Sequence, residues 1–162
     1  MQLDVRTALI LTHPTDESQI LLLRRSAEKK LFPNLITGIG GKVEVEQGED
    51  ENLGKSMWRE FTEETKIPRD TVEEARLRLT TIVNREDKVV ILLWYTGKLT
   101  ALPEDLSCTE GTLAFFDKRA LPQQEMIPTA SQAIPFICSL AQNDANIYAG
   151  SFANNQLTVS NI

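Results

Sequence analysis

Two segments decide how the chain is read: Gly38-Ile39-Gly40-Gly41-Lys42-Val43-Glu44 and Asn52-Leu53-Gly54-Lys55-Ser56-Met57-Trp58-Arg59-Glu60-Phe61-Thr62-Glu63-Glu64-Thr65. The glycines of the first mark backbone that bends tightly or is approached closely. In the second, Leu53, Met57 and Phe61 recur every four residues, which on a helix is one apolar stripe facing a core. Residues three and four apart share a helix face, so Glu60, Glu63 and Glu64 are expected to project together, away from that stripe. Three carboxylates on one patch repel, and between residues 44 and 64 eight acids stand against only Lys55 and Arg59. An all-oxygen set of this kind suits a hard divalent cation, Mg2+ in particular, with Mn2+ able to substitute. The glycine turn is expected to deliver Glu44, and Glu49 or Glu51, toward the same helix.

Working outward, residues 5–12 and 19–24 are apolar runs separated by a turn-rich HPTDES and read as a hairpin. Residues 77–83 and 89–96 form a second such pair around a polar turn. Residues 112–116 read as a further strand, 101–111 as an irregular loop, and 147–152 with 156–159 as a final hairpin about Asn154-Asn155. Residues 128–141 read as a second helix that Thr129 is placed to cap and that Pro135 is expected to bend or to make start late. Seven or eight strands, joined mostly by hairpins and carrying two inserted helices, predict a mixed α/β (α+β) sandwich rather than a doubly wound parallel sheet.

With 162 residues, 41% hydrophobic and 25% charged, the chain has an ordinary globular composition and is expected to form one domain over residues 1–162. No run approaches the ~18–20 apolar residues of a membrane span, and the opening MQLDVRTALILTHP has neither a basic leader nor a small-residue cleavage site. The expectation is a cytoplasmic protein without a membrane partner. A formal charge of -6 disfavours polymeric nucleic acid as a partner. Cys108 and Cys138 are too few for a disulfide framework and read as reduced thiols, Cys138 as core packing. Oligomeric state stays open between monomer and homodimer.

The residues also carry a family resemblance. Gly40-Gly41-Lys42-Val43-Glu44, then Gly48-Glu49, then Arg59-Glu60-Phe61-Thr62-Glu63-Glu64-Thr65-Lys66-Ile67 resembles the Nudix box. Two departures stand out. The box places five residues between its glycine and first glutamate and seven more before its arginine, whereas Gly41 to Arg59 spans four more than that. Keeping seven before Arg59 selects Glu51, while keeping the Gly-Glu pair selects Glu49. The glycine that usually follows the Glu-Glu pair is Lys66, at a helix end where a left-handed residue without glycine is costly. Outside the box, residues 20–26, residues 109–116, Met126-Ile127-Pro128 and residues 147–152 resemble the MutT-type branch, which includes oxidised-purine nucleoside triphosphatases.

The resemblance implies two β-sheets between helices and Mg2+-dependent hydrolysis of a nucleoside diphosphate linked to another group. It implies Glu60 and Glu64 as metal ligands, Glu63 as ligand or general base, and Gly41 and the first box glutamate beside the metal. Arg59 would orient Glu49 or Glu51 through a charge-assisted hydrogen bond, and Glu110 falls where the branch carries a further ligand or base. Arg24 and Lys42, with Arg25 behind them, are candidates for phosphate contact. Mammalian members read the base with an aromatic and two acids in a Met-Trp-Pro-Asp-Asp segment. Here the segment is Met126-Ile127-Pro128-Thr129-Ala130, which leaves Thr37, Leu31, Phe32 and Ile127 as candidate base contacts. The leading expectation is a small-molecule nucleoside triphosphate pyrophosphohydrolase, with oxidised purines such as 8-oxo-dGTP as the expected substrates. Its rivals are hydrolysis of a nucleotide sugar, dinucleotide or RNA 5' end, and a non-catalytic nucleotide-binding module. His13, Trp58 and Trp94 read as surface or packing residues.

Overall fold

All eleven residues of β1 (Gln2–Thr12) pair in parallel with β5 (Lys88–Leu99), from Gln2 opposite Lys88 to Thr12 opposite Lys98. This pairing, in a computed structural model that describes residues 1–160, organises everything else. The expected first hairpin shrinks to two residue pairs, Leu11 with Leu21 and Thr12 with Ile20 of β2 (Gln19–Arg25). The rest of that edge of β1 is taken by the glycine segment. The Leu9 and Thr7 amides donate to the carbonyls of Ile39 and Gly41 at 2.6 and 2.9 Å, and the Ile39 amide returns a bond to Leu9 at 2.9 Å. The glycine turn is thereby stitched to the sheet.

The remaining elements are β3 (Ile36–Thr37), α1 (Leu53–Glu64), β4 (Val72–Asn84), β6 (Ser107–Cys108), β7 (Gly111–Asp117), α2 (Ala130–Ser139), β8 (Tyr148–Ala153) and β9 (Gln156–Ser160). One nine-stranded mixed sheet runs β6-β7-β2-β1-β5-β4-β8-β9, with β3 on β2, so the two sheets implied by the resemblance are hydrogen-bonded into one. The second hairpin is β4–β5, although β4 begins at Val72, ahead of the expected Leu77, and contains two register shifts. The last hairpin is β8–β9, turned by Asn154 and Asn155 at φ 51 and 60, the double positive φ that a two-residue hairpin loop favours.

Strand alternation divides the core between two helices. Leu9, Leu11, Leu21 and Leu23 face α1 and meet Met57 and Phe61, whereas Ala8, Ile10, Ile20 and Leu22 face α2 and meet Ile134 and Ile137. The fold is therefore mixed α+β, a large sheet with one helix on each face. Among the described residues no helix is long and apolar enough to cross a membrane.

Both helix ends depart from expectation. Thr129 is itself helical (φ -66, ψ -41) and makes no capping bond through its side chain, so the expected cap is absent. Pro135 lies inside α2 and cannot donate to the Ser131 carbonyl four residues back, but Gln123 Nε2 supplies a bond to that oxygen at 3.3 Å. The cost expected at Lys66 is not incurred. The chain leaves α1 through Thr65 in an extended conformation (φ -114, ψ 161), and Thr65 Oγ1 bonds the Phe61 carbonyl at 2.8 Å.

Candidate active site

Arg59 is the hub of the carboxylate region. Its Nε donates to Glu49 Oε1 at 2.5 Å, its Nη1 to Glu63 Oε2 at 3.0 Å, and its Nη2 reaches Glu60 Oε1 and the Lys42 carbonyl, each at 2.9 Å. The helix stands ready for this because Asn52 Oδ1 caps it at the Gly54 amide, 3.1 Å away. The residues between Gly41 and Arg59 fold as two 3-10 turns, Val45–Gln47 and Glu49–Glu51, hinged at Gly48 with φ 71. That compaction buries Glu49, which is 3% exposed and also accepts the Glu44 amide at 2.6 Å. Glu51 is exposed, so of the two alternatives it is Glu49 that the fold presents to Arg59. The guanidinium holds the Glu49 carboxyl below the usual carboxylate range, and Glu49 in turn raises Arg59.

The three helix glutamates lie within electrostatic reach of one another but differ sharply in burial. At 100° per residue, Glu63 and Glu64 flank Glu60 on opposite sides. The Glu63 side chain is 59% exposed and turns toward an outer cleft of about 570 Å3 shared with Lys55, Trp58 and Arg69. Glu64 is buried beside Glu60, and its Oε2 has no hydrogen-bond partner. Burial pushes the Glu64 carboxyl up to about 9, helped by contact with the Glu60 carboxylate and opposed by Lys29. Gly41 closes the other side. A Cβ at Gly41 would stand 2.5 Å from the Glu60 carboxylate, so a side chain here would displace that carboxylate.

Glu110 sits in the β6–β7 turn and pairs with Lys29. The same turn is tied to the end of α1, since the Thr109 amide donates to the Glu64 carbonyl at 3.0 Å. Sequence reasoning misses Lys29, whose only sign is the Lys29-Lys30 pair in the loop after β2. Alternation separates the neighbouring arginines. Arg25 points with Leu21 and Leu23 toward α1 and feels the charge of Glu64. Arg24 pairs across from Ile36 on the α2 face, where it bonds the Asn34 carbonyl and Glu125 at 3.0 and 3.1 Å, and is not brought to the carboxylates. The Lys42 side chain is exposed beside the site. Thr37 lies opposite Leu23, Ile127 packs with the α2-face core, and Leu31 is 57% exposed, so these three are not gathered into one pocket.

Among the described residues no three His, Cys, Asp or Glu side chains converge as a closed metal site. Arg59 bridges the carboxylates instead. The donor set nonetheless fits a divalent cation: a buried oxygen of Glu64 lacks any partner, a second carboxylate lies against it, and glycine backbone keeps the space beside Glu60 clear.

The NUDIX domain family model matches residues 3–136. Comparison with curated proteins gave no match. Among solved structures, a NUDIX hydrolase from Nitrosomonas europaea is 19% identical with a TM-score of 0.68, over 92% of this chain and 78% of that one. A MutT protein from Bacillus halodurans is 20% identical with a TM-score of 0.61, over 97% and 96%. The NUDIX domain of Shewanella oneidensis NrtR, complexed with ADP ribose, is 18% identical with a TM-score of 0.60, over 80% and 82%. These likenesses show the fold. With residues 3–136 of its 162 matched, the chain belongs to the NUDIX domain family.

Proposed function

We propose that the protein is a divalent-metal-dependent hydrolase of nucleoside diphosphate linkages, acting on nucleoside triphosphates of the oxidised-purine kind to give the monophosphate and pyrophosphate. The observation that carries the reading is the buried, unpartnered Glu64 oxygen beside Glu60 and the Gly41 backbone. Glu60 and Glu64 would hold Mg2+, which offsets charge on the diphosphate oxygens and activates water when bound. Arg59 fixes the position of Glu60 while its own orientation is set by the buried Glu49. Glu110 is assigned as the acceptor of the water proton, because it shares Lys29 with Glu64, whereas Glu63 faces the outer cleft. Arg25 and Lys42 are assigned to the phosphates. Thr37, opposite Leu23 on the α1 side of the sheet, remains the assigned base contact.

The MutT-type assignment rests on the segments outside the box and agrees with the likeness to the Bacillus halodurans protein. A second reading keeps the site and changes the substrate to a nucleoside diphosphate joined to a sugar, which the ADP-ribose complex of the Shewanella domain favours. A non-catalytic module has no need of the full set of Glu49, Arg59, Glu60 and Glu64. Turnover would be measured with and without Mg2+, as pyrophosphate release from normal and oxidised deoxynucleoside triphosphates and as chromatographically resolved nucleoside monophosphate from ADP-ribose and dinucleotides. Selective pyrophosphate release from an oxidised purine triphosphate is expected. Turnover of ADP-ribose alone would establish the second reading, and no turnover on the panel would overturn both.

A further inference from the structure

The α2 face of the sheet carries a second cleft, on the opposite side from α1. It has a volume of about 860 Å3, and four cations line it, Arg76, Arg78, Lys98 and Lys118, against two acids, Glu17 and Glu74. A local excess of positive charge is unexpected in a chain of formal charge -6. Ile10, Ile20 and Ile137 give the cleft an apolar floor.

Arg78 reaches this cleft through a β-bulge. The β4–β5 register passes from Leu77 opposite Tyr95 to Leu79 opposite Trp94, so that Arg78 is the extra residue on β4. Leu77 and Tyr95 belong to the α1 face, Leu79 and Trp94 to the α2 face, and the extra residue joins the latter. The result is an arginine only 5% exposed, with Nε and Nη2 enclosed and without a hydrogen-bond partner. A buried guanidinium left unpaired is costly. Asp144, whose charge Arg78 feels, is already engaged by the Tyr148 hydroxyl at 2.6 Å and the Asn146 amide at 2.9 Å. Arg76 is fixed alongside by a 2.9 Å bond to the Gln142 carbonyl.

We propose that this cleft is a second, non-catalytic site for a small phosphate-bearing organic anion of nucleotide size. The Arg78 fork and its neighbouring cations would take the phosphate, and the isoleucine floor the organic body. The volume lies within the ~300–1,000 Å3 usual for small-molecule sites.

The probe is adenosine 5'-monophosphate, titrated calorimetrically in EDTA so that the carboxylate region holds no metal. Saturable binding is expected, weakened at least ~10-fold by Arg78→Met, since a lost charge-assisted bond has about that effect, and unchanged by Glu60→Gln. Should Arg78→Met fail to fold, the paired Lys98→Gln, Lys118→Gln variant is expected to show the same loss. The proposal is overturned if the wild-type protein shows no saturable binding. It is equally overturned if Glu60→Gln abolishes binding, or if the folded cleft variants bind as the wild type does.

Discussion

Arg59 Nε lies 2.5 Å from Glu49 Oε1, and this contact sets Glu49 apart from Glu51 in a segment four residues longer than the usual box. Glu51, two residues on, is exposed at the end of a 3-10 turn. Glu49→Gln is expected to lower turnover by roughly 10–100-fold, the usual effect of losing a partner that orients a ligand. Glu51→Gln is expected to leave it within twofold of wild type. Steady-state kinetics on the two purified variants checks this, and the reverse ranking would show that Glu51 is the box glutamate.

Gly40 and Gly41 are adjacent but fail differently when given a side chain. A Cβ at Gly40 would collide with the backbone carbonyl of Thr7, which the sheet holds in place, whereas one at Gly41 meets only the carboxylate end of the Glu60 side chain. Gly40→Ala should therefore lower stability by several kcal/mol, about 3 or more, as overpacking against backbone does. Gly41→Ala should keep its melting temperature within a few degrees and lose most activity. Thermal melts by circular dichroism, run beside turnover assays, separate the two.

Much of this site was legible because short-range chemistry fixes it. The four-residue stripe Leu53, Met57, Phe61 and the Gly38–Gly41 turn predict the helix and the close backbone approach, and Arg59 meets Glu60 while Glu64 lies against Glu60, neighbours on one helix. What escaped the sequence depends on long-range pairing. The face on which Arg24 lies follows from β2 pairing with β3, and Lys29 matters only because the β6–β7 turn docks on the end of α1. The outward turn of Glu63 follows from helix angle combined with the direction from which the sheet covers α1. Among the apolar runs, the parallel β1–β5 pairing displaced the simple hairpin, since local pattern does not specify which distant strand completes an edge.

Trp94 and Thr81 share the α2-face core at 1% and 0% exposure, and Trp94 Nε1 donates to Thr81 Oγ1 at 3.0 Å. Thr81→Val keeps the shape and removes the acceptor. Leaving the indole N–H unpaired in the core should cost about 1–3 kcal/mol. A shift of the urea midpoint to lower concentration at unchanged slope is the expected outcome, and an unchanged midpoint would contradict it.

Burial pushes the Cys138 thiol up to about 11, with Lys118 opposing. A raised thiol pKa means less thiolate at any given pH below it, and so a slower reaction with alkylating agents. In a Cys108→Ser background, iodoacetamide labelling of the native protein at pH 8 should proceed at least ~10-fold more slowly than after unfolding, because thiolate becomes roughly tenfold scarcer each time the thiol pKa rises by one. Equal rates in the native and unfolded protein would show that this thiol is not held protonated.

The central claim is that the buried Glu64 carboxylate, unpartnered beside Glu60, belongs to a metal-dependent hydrolytic site. Pyrophosphate release from an oxidised purine triphosphate should be absent in EDTA and restored by Mg2+ in the wild-type protein. In a folded Glu64→Gln variant it should fall by roughly 100–1,000-fold, the scale on which loss of one charge-stabilising group slows such reactions. Wild-type turnover in Glu64→Gln, or undiminished turnover in EDTA, would contradict the account.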